Sequence, residues 1–286
     1  YNTALGYAAG FAVTTGIKNT FIGGLSGDAT TDADFNVGVG HNTLTTNVLG
    51  SRSVAVGYTA LEAQNPASAV DMYNTAVGHA AGFAVTTGTE NTFIGGRAGA
   101  ATTTGGNNTF VGTDAGDANT TASNNTGIGR DSLTDNTTGE NLTAVGEGSL
   151  ANNTTANNNT AVGKNAGLLV TTGTENTFIG SLAGDAITTS NYNTALGSGA
   201  LGADDLGSFS TAIGRGTLAN QNYASATNSF NTAVGANAGE QITTGTDNTL
   251  IGGLCGDAIT DGNTNTAMGS YALTTNQRGD RNTAIG

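Results

Sequence analysis

The sequence predicts an all-β parallel solenoid made of 17-residue coils, and three observations carry that reading. A five-residue motif, written Asn74-Thr75-Ala76-Val77-Gly78 in one copy, recurs 17 times, its last glycine running from Gly6, Gly23, Gly40 and Gly57 through to Gly286. Successive glycines stand 17 residues apart, except for steps of 21 from Gly57 to Gly78 and from Gly214 to Gly235. A fixed period of this kind marks a repeat architecture. The composition agrees, with 46 glycines, one proline, no tryptophan and 10% charged residues. Apolar residues follow no helical period, and a disordered tract would have no reason to hold an aliphatic residue and a glycine in register. Residues 1–286 are therefore read as a single repeat array, with 21-residue coils at 53–73 and 210–230. Stacked at the ~4.8 Å strand spacing, such coils would extend roughly 80 Å.

Counting each coil from its Asn, position 4 is always aliphatic, from Leu5, Ile22 and Val39 to Met268 and Ile285. Position 3 holds only Ala, Gly, Phe or Leu, and no charged residue occupies positions 2 to 5 of any copy. Neighbouring residues of a strand face opposite sides, so apolar side chains at both positions imply a strand buried on both faces. On this reading position 4 fills the coil's own core. Position 3, with Phe21, Phe93, Phe110, Phe178 and Leu250 as its largest members, meets other chains.

The glycine at position 5 then ends the strand, by a positive φ or by a close approach of neighbouring chains that a Cβ would block. Position 8 is small. Position 9 is Gly or Leu, and position 12 changes with it: Val85, Val170 and Ile187 accompany Gly, whereas Asn47, Gln64, Asn136 and Asp204 accompany Leu. The two positions are expected to take turns filling one apolar space, because close packing keeps volume roughly constant. Thr30, Thr102 and Asn119 break this rule. A Thr-Thr-Gly turn such as Thr14-Thr15-Gly16 leads into the next coil.

The 21-residue coils carry related insertions, Gln64 to Ala69 and Gln221 to Ala226. Insertions in a solenoid emerge as loops, so Asn65, Pro66, Asn222 and Tyr223 are expected to protrude.

Ser53-Val54-Ala55-Val56-Gly57 resembles the repeat in the collagen-binding head of YadA-like trimeric autotransporter adhesins. The other copies are similar to repeats of long bacterial surface proteins and of phage tail fibres that carry a C-terminal chaperone domain. The resemblance covers the whole chain and departs in its period, 17 residues here against about 14 in the adhesin heads. It implies a left-handed parallel β-roll assembled as a homotrimeric fibre, with the repeat strand toward the threefold axis. The residues themselves imply only an oligomer.

A net charge of −13 with eight basic residues disfavours nucleic acid as a partner. No apolar run is long enough for a membrane span, so no membrane contact is expected within this segment. The chain opens and closes inside copies of the repeat and is read as an interior segment of a longer protein. Cys255 falls at position 8, where other coils have Ala98, Ser132 or Thr217, and is read as a small core filler.

His41 and His79 at position 6 are read as turn residues, with no metal-ligand cluster around them. Asp28, Asp117, Asp185 and Asp257 recur at position 10 and raise the question of a cation, although the calcium-binding nonapeptide is absent. No catalytic residue, cofactor site or metal site is assigned, and an enzyme is not expected. The expected role is a structural or adhesive segment of an extracellular fibre on a cell surface or virion. Its partners would be copies of itself and a host receptor or glycan. A phage tail-fibre shaft is one alternative. An ice-binding solenoid is another, suggested by Thr at positions 2, 13 and 14.

Overall fold

The computed structural model describes residues 1–286 and contains no helix. The chain divides into two units, Tyr1–Asn141 and Leu142–Gly286. Each is a parallel β-solenoid of the expected coils. The first unit carries eight three-residue strands, from Thr3–Leu5 to Thr126–Ile128, and the second carries nine, from Thr143–Val145 to Thr283–Ile285. Register is kept at equivalent positions, as in Thr75↔Thr92, Ala76↔Phe93 and Val77↔Ile94. Each 21-residue coil adds a two-residue pairing, Gly50–Ser51 with Val70–Asp71 and Gly207–Ser208 with Thr227–Asn228.

The strand is three residues long because its ends are fixed. The residue before each Asn has a left-handed backbone, such as Lys18 at φ 58°. The glycine after the strand is at φ near 139° in Gly6 and Gly95. A Cβ built on Gly95 would lie 2.3 Å from the Gly112 carbonyl oxygen of the next coil. The positive φ expected of this glycine is present, but the backbone that approaches it belongs to the next coil of the same chain, not to a neighbouring chain. Backbone hydrogen bonds likewise run between coils, as from Gly23 N to Leu5 O at 2.8 Å.

The assignment of the two apolar columns is reversed. Phe93 and Phe178 at position 3 are 0% exposed within the single chain, whereas Ile94 and Ile179 at position 4 are 41% and 38% exposed. Phe21, Phe93, Phe110, Phe178 and Leu250 thus fill their own coils, and none of them is free to meet another chain. The reason lies in strand alternation: the Asn at position 1 is buried, and position 3 faces the same way.

That buried Asn is the second organising element. Asn19 Nδ2 donates to Ala33 O of its own coil at 2.8 Å, and its Oδ1 accepts from the backbone N–H of Asn36 in the next coil at 2.9 Å. The same pair of bonds repeats at Asn91, with Gly105 O and Asn108 N. A buried amide that finds both partners contributes about 1 kcal/mol, while stranding one costs about 1–3 kcal/mol.

Positions 9 and 12 both point inward, as expected. Leu44, Leu61, Leu133 and Leu150 are buried, and so are Val85, Val170, Ile187, Asn47 and Asn136. The three exceptions, Thr30, Thr102 and Asn119, are themselves buried and sit in the coils of Phe21, Phe93 and Phe110, but a ring at position 3 does not exclude an aliphatic residue at position 12, since Phe178 shares its coil with the buried Ile187. A Cβ on Gly27 would lie 2.3 Å from the Phe21 ring, so Gly at position 9 is also what admits the ring.

Candidate functional site

No group of three or more His, Cys, Asp or Glu side chains could hold a metal ion. The features able to meet a partner are surfaces. The broadest is the outer face of the strands in each unit. Alternation presents position 4 there, with the Thr of position 2 beside it, and both columns are at least partly exposed along nearly every strand. No charge interrupts either column.

The residue before the Asn has the same parity and adds aromatic groups near the 21-residue coils. In the second unit Tyr192, Phe209 and Phe230 stack at centroid distances of 4.9 and 5.3 Å. In the first unit cations alternate with rings, Lys18 and Arg52 lying 4.9 and 4.7 Å from the Phe35 ring centroid.

The expected loops protrude only in part. Asn65 and Asn222 are exposed, but Pro66 and Tyr223 are buried. Tyr223 turns inward because its hydroxyl donates to Gly245 O at 2.8 Å. The exposed part of each insertion is Asn65 with residues 67–69, and Asn222 with residues 224–226.

These inserted coils also contain a substitution that the sequence reading missed. Ser53 and Ser210 replace the buried Asn at position 1, and only those coils carry Gln at position 12. Gln64 Oε1 accepts from Ser53 Oγ at 3.1 Å and from Asn74 Nδ2 at 3.0 Å. Gln221 Nε2 donates to Ser210 Oγ at 2.7 Å, and its Oε1 accepts from Asn231 Nδ2 at 2.8 Å. The glutamine thus reaches the place that the missing asparagine would occupy, and the pairing of Ser with Gln was the available signal.

Asp28, Asp117, Asp185 and Asp257 lie in coils that are not neighbours, so no two of them share a site. Burial pushes Asp28, Asp117 and Asp185 above the usual carboxylate range. Asp257 accepts a hydrogen bond from the Thr274 hydroxyl. Cys255 is fully buried, and burial raises its thiol pKa.

The two histidines lie in turns, as expected. They flank Tyr58 in a stack, with centroids 5.8 Å apart for His41 and 5.5 Å for His79. Beside the stack lies a groove of about 520 Å³, lined among others by Asn42, Tyr58, Glu62, His79, Phe83 and Arg97. Comparison with protein-family models, curated proteins and solved structures gave no match.

Proposed function

We propose that this chain is a structural and adhesive segment of an extracellular fibre. Three copies would share their position 4 walls as a left-handed β-roll trimer, with no catalytic role. The observation that carries the reading is the uncharged position 4 column, which holds half-exposed Ile94, Ile128, Ile179 and Leu196 where a solvated face would hold polar side chains. Apolar surface of this extent gains free energy when covered, and a periodic column is complementary to another copy of itself. The same role in a phage tail-fibre shaft fits the same surface. Sedimentation equilibrium of the purified chain tests the reading. Three copies per particle are expected, and a folded monomer stable at micromolar concentration would overturn it.

A second reading draws on a different feature. Thr20, Thr92, Thr109 and their equivalents stand in an uncharged column beside the aliphatic one, an array suited to ordered water. The hydroxyls of position 13 are less suited, since those of Thr86 and Thr103 donate to the next coil's carbonyls at 3.1 Å. Clear thermal hysteresis would move the assignment to an ice-binding solenoid.

A further inference from the structure

Position 6 projects side chains beside the groove of the first unit, and three successive coils place rings there. His41, Tyr58 and His79 stack nearly parallel, with interplanar angles of 14° and 12°. Glycine flanks the stack on both sides. At Gly24 the added Cβ position is already taken, 3.2 Å from the His41 ring, but at Gly96 no atom lies within 4 Å. The far face of His79 is therefore bare where the next ring of the column would stand.

That bare face opens into the groove. Phe83, 42% exposed and without a stacked ring partner, lines the same groove together with the small Ala80 and Ala100. The charges at the rim are unequal. Arg97 is neutralised by Asp114 at 2.6 Å, while Glu62 has no ion pair. The chain as a whole carries a net charge of −13.

We propose that this groove binds an aromatic side chain presented by a basic polypeptide segment, its ring stacking on His79 over Gly96 as the fourth ring of the column. Tyr58 is closed to stacking because both of its faces are covered, so the ring enters beside His79. Phe83 lines the same groove and supplies a second apolar contact. Glu62 favours a cation in the flanking residues, as the overall charge does at longer range. The proposal is independent of the fibre reading, because binding is scored in whichever oligomeric state the chain adopts.

The test is calorimetric titration of the chain with an acetylated Lys-Gly-Tyr-Gly-Lys peptide. Replacing the tyrosine of the peptide by leucine is expected to weaken binding roughly threefold to tenfold, the usual worth of an aromatic pair. Replacing its lysines by glutamates is expected to abolish binding. In the protein, Gly96→Tyr fills the place from within and should eliminate binding. Gly253→Tyr, at a bare position 6 without ring neighbours, should leave binding unchanged. Phe83→Ala provides a second readout should the Gly96 variant fold poorly by circular dichroism, and is expected to weaken binding severalfold. Full binding by Gly96→Tyr or Phe83→Ala, equal binding of the leucine peptide, preference for a neutral methyl glucoside, or no binding at millimolar peptide would each overturn the proposal.

Discussion

In the 21-residue coil at 53–73 the added length is sealed by packing, with Pro66 and Met72 buried. In the coil at 210–230 the same two places are taken by Tyr223 and Ser229, and hydrogen bonds do the sealing. Tyr223 donates to Gly245 O, and Ser229 Oγ donates to Ser208 O at 2.9 Å. One coil earlier, Asn47 of the first block corresponds to Asp204 of the second. Gln221 Nε2 donates to Asp204 Oδ2 at 2.6 Å, whereas the buried Nε2 of Gln64 has no acceptor. The comparison shows that an enlarged coil tolerates an apolar or a polar closure. The polar one brings a buried carboxylate with it.

The largest effect that would break the comparison comes from the ring. Tyr223→Ala should cost about 3–5 kcal/mol, because a large buried side chain leaves a cavity. Pro66→Ala removes far less volume and should cost under about 1 kcal/mol. Hydrogen exchange of the amides around each insertion reads the two separately.

The next largest effect is pH dependence. Burial raises the Asp204 carboxyl from 3.8 to about 6, more than its bonds from Gln221 and Gly207 N–H lower it. Between those values the unfolded chain gives up the proton while the folded chain keeps it, so stability falls as pH rises through this window. The full shift corresponds to about 3 kcal/mol. Asp204→Asn is expected to recover most of this at pH 8 and to flatten the profile. Protection in residues 200–230, followed from pH 4 to 8, checks both the sign and the window.

A smaller effect sharpens the contrast. Asn47→Asp would give Gln64 Nε2 its acceptor and should transfer a weaker pH dependence to the first block, lowering its local stability by about 1–2 kcal/mol at pH 8. Protection around residues 45–75 would show the new profile, and an unchanged profile would mean that the glutamine is not the coupling element.

Core volume can be tested in the same manner. Gly27→Ala forces a Cβ onto the Phe21 ring at a left-handed φ of 58°, and should be more damaging alone than in combination with Phe21→Ala. Rescue by the second change, measured as a double-mutant cycle, identifies the shared space.

Much of the architecture was legible in the sequence. The period of Gly6, Gly23 and their successors set strand, coil and register, and the exchange of Leu44 with Val85 marked an internal space. The side on which position 3 lies was not read correctly, because hydrophobicity alone drew the uniform aliphatic column inward. Variation in size is the better guide. Phe21, Gly38 and Ala55 differ widely in volume and are compensated by Gly27, Leu44 and Leu61 of their own coils, which only an internal position allows. Tyr223 was hidden for another reason: its inward path depends on Gly245, a residue 22 positions away that no local pattern connects to it. The ring column at His41, Tyr58 and His79 is not visible in either histidine alone, because its 17- and 21-residue spacings show only when coils are aligned.

The central claim is that position 4, not position 3, is the wall shared between copies. Sedimentation equilibrium of the Ile94→Asp and Ile179→Asp double variant tests it most directly, since one charge is placed on the outer face of each unit and neither coil's core is touched. The expected result is a particle of lower mass than the wild type with an unchanged circular dichroism spectrum. A double variant that assembles as fully as the wild type would contradict the claim.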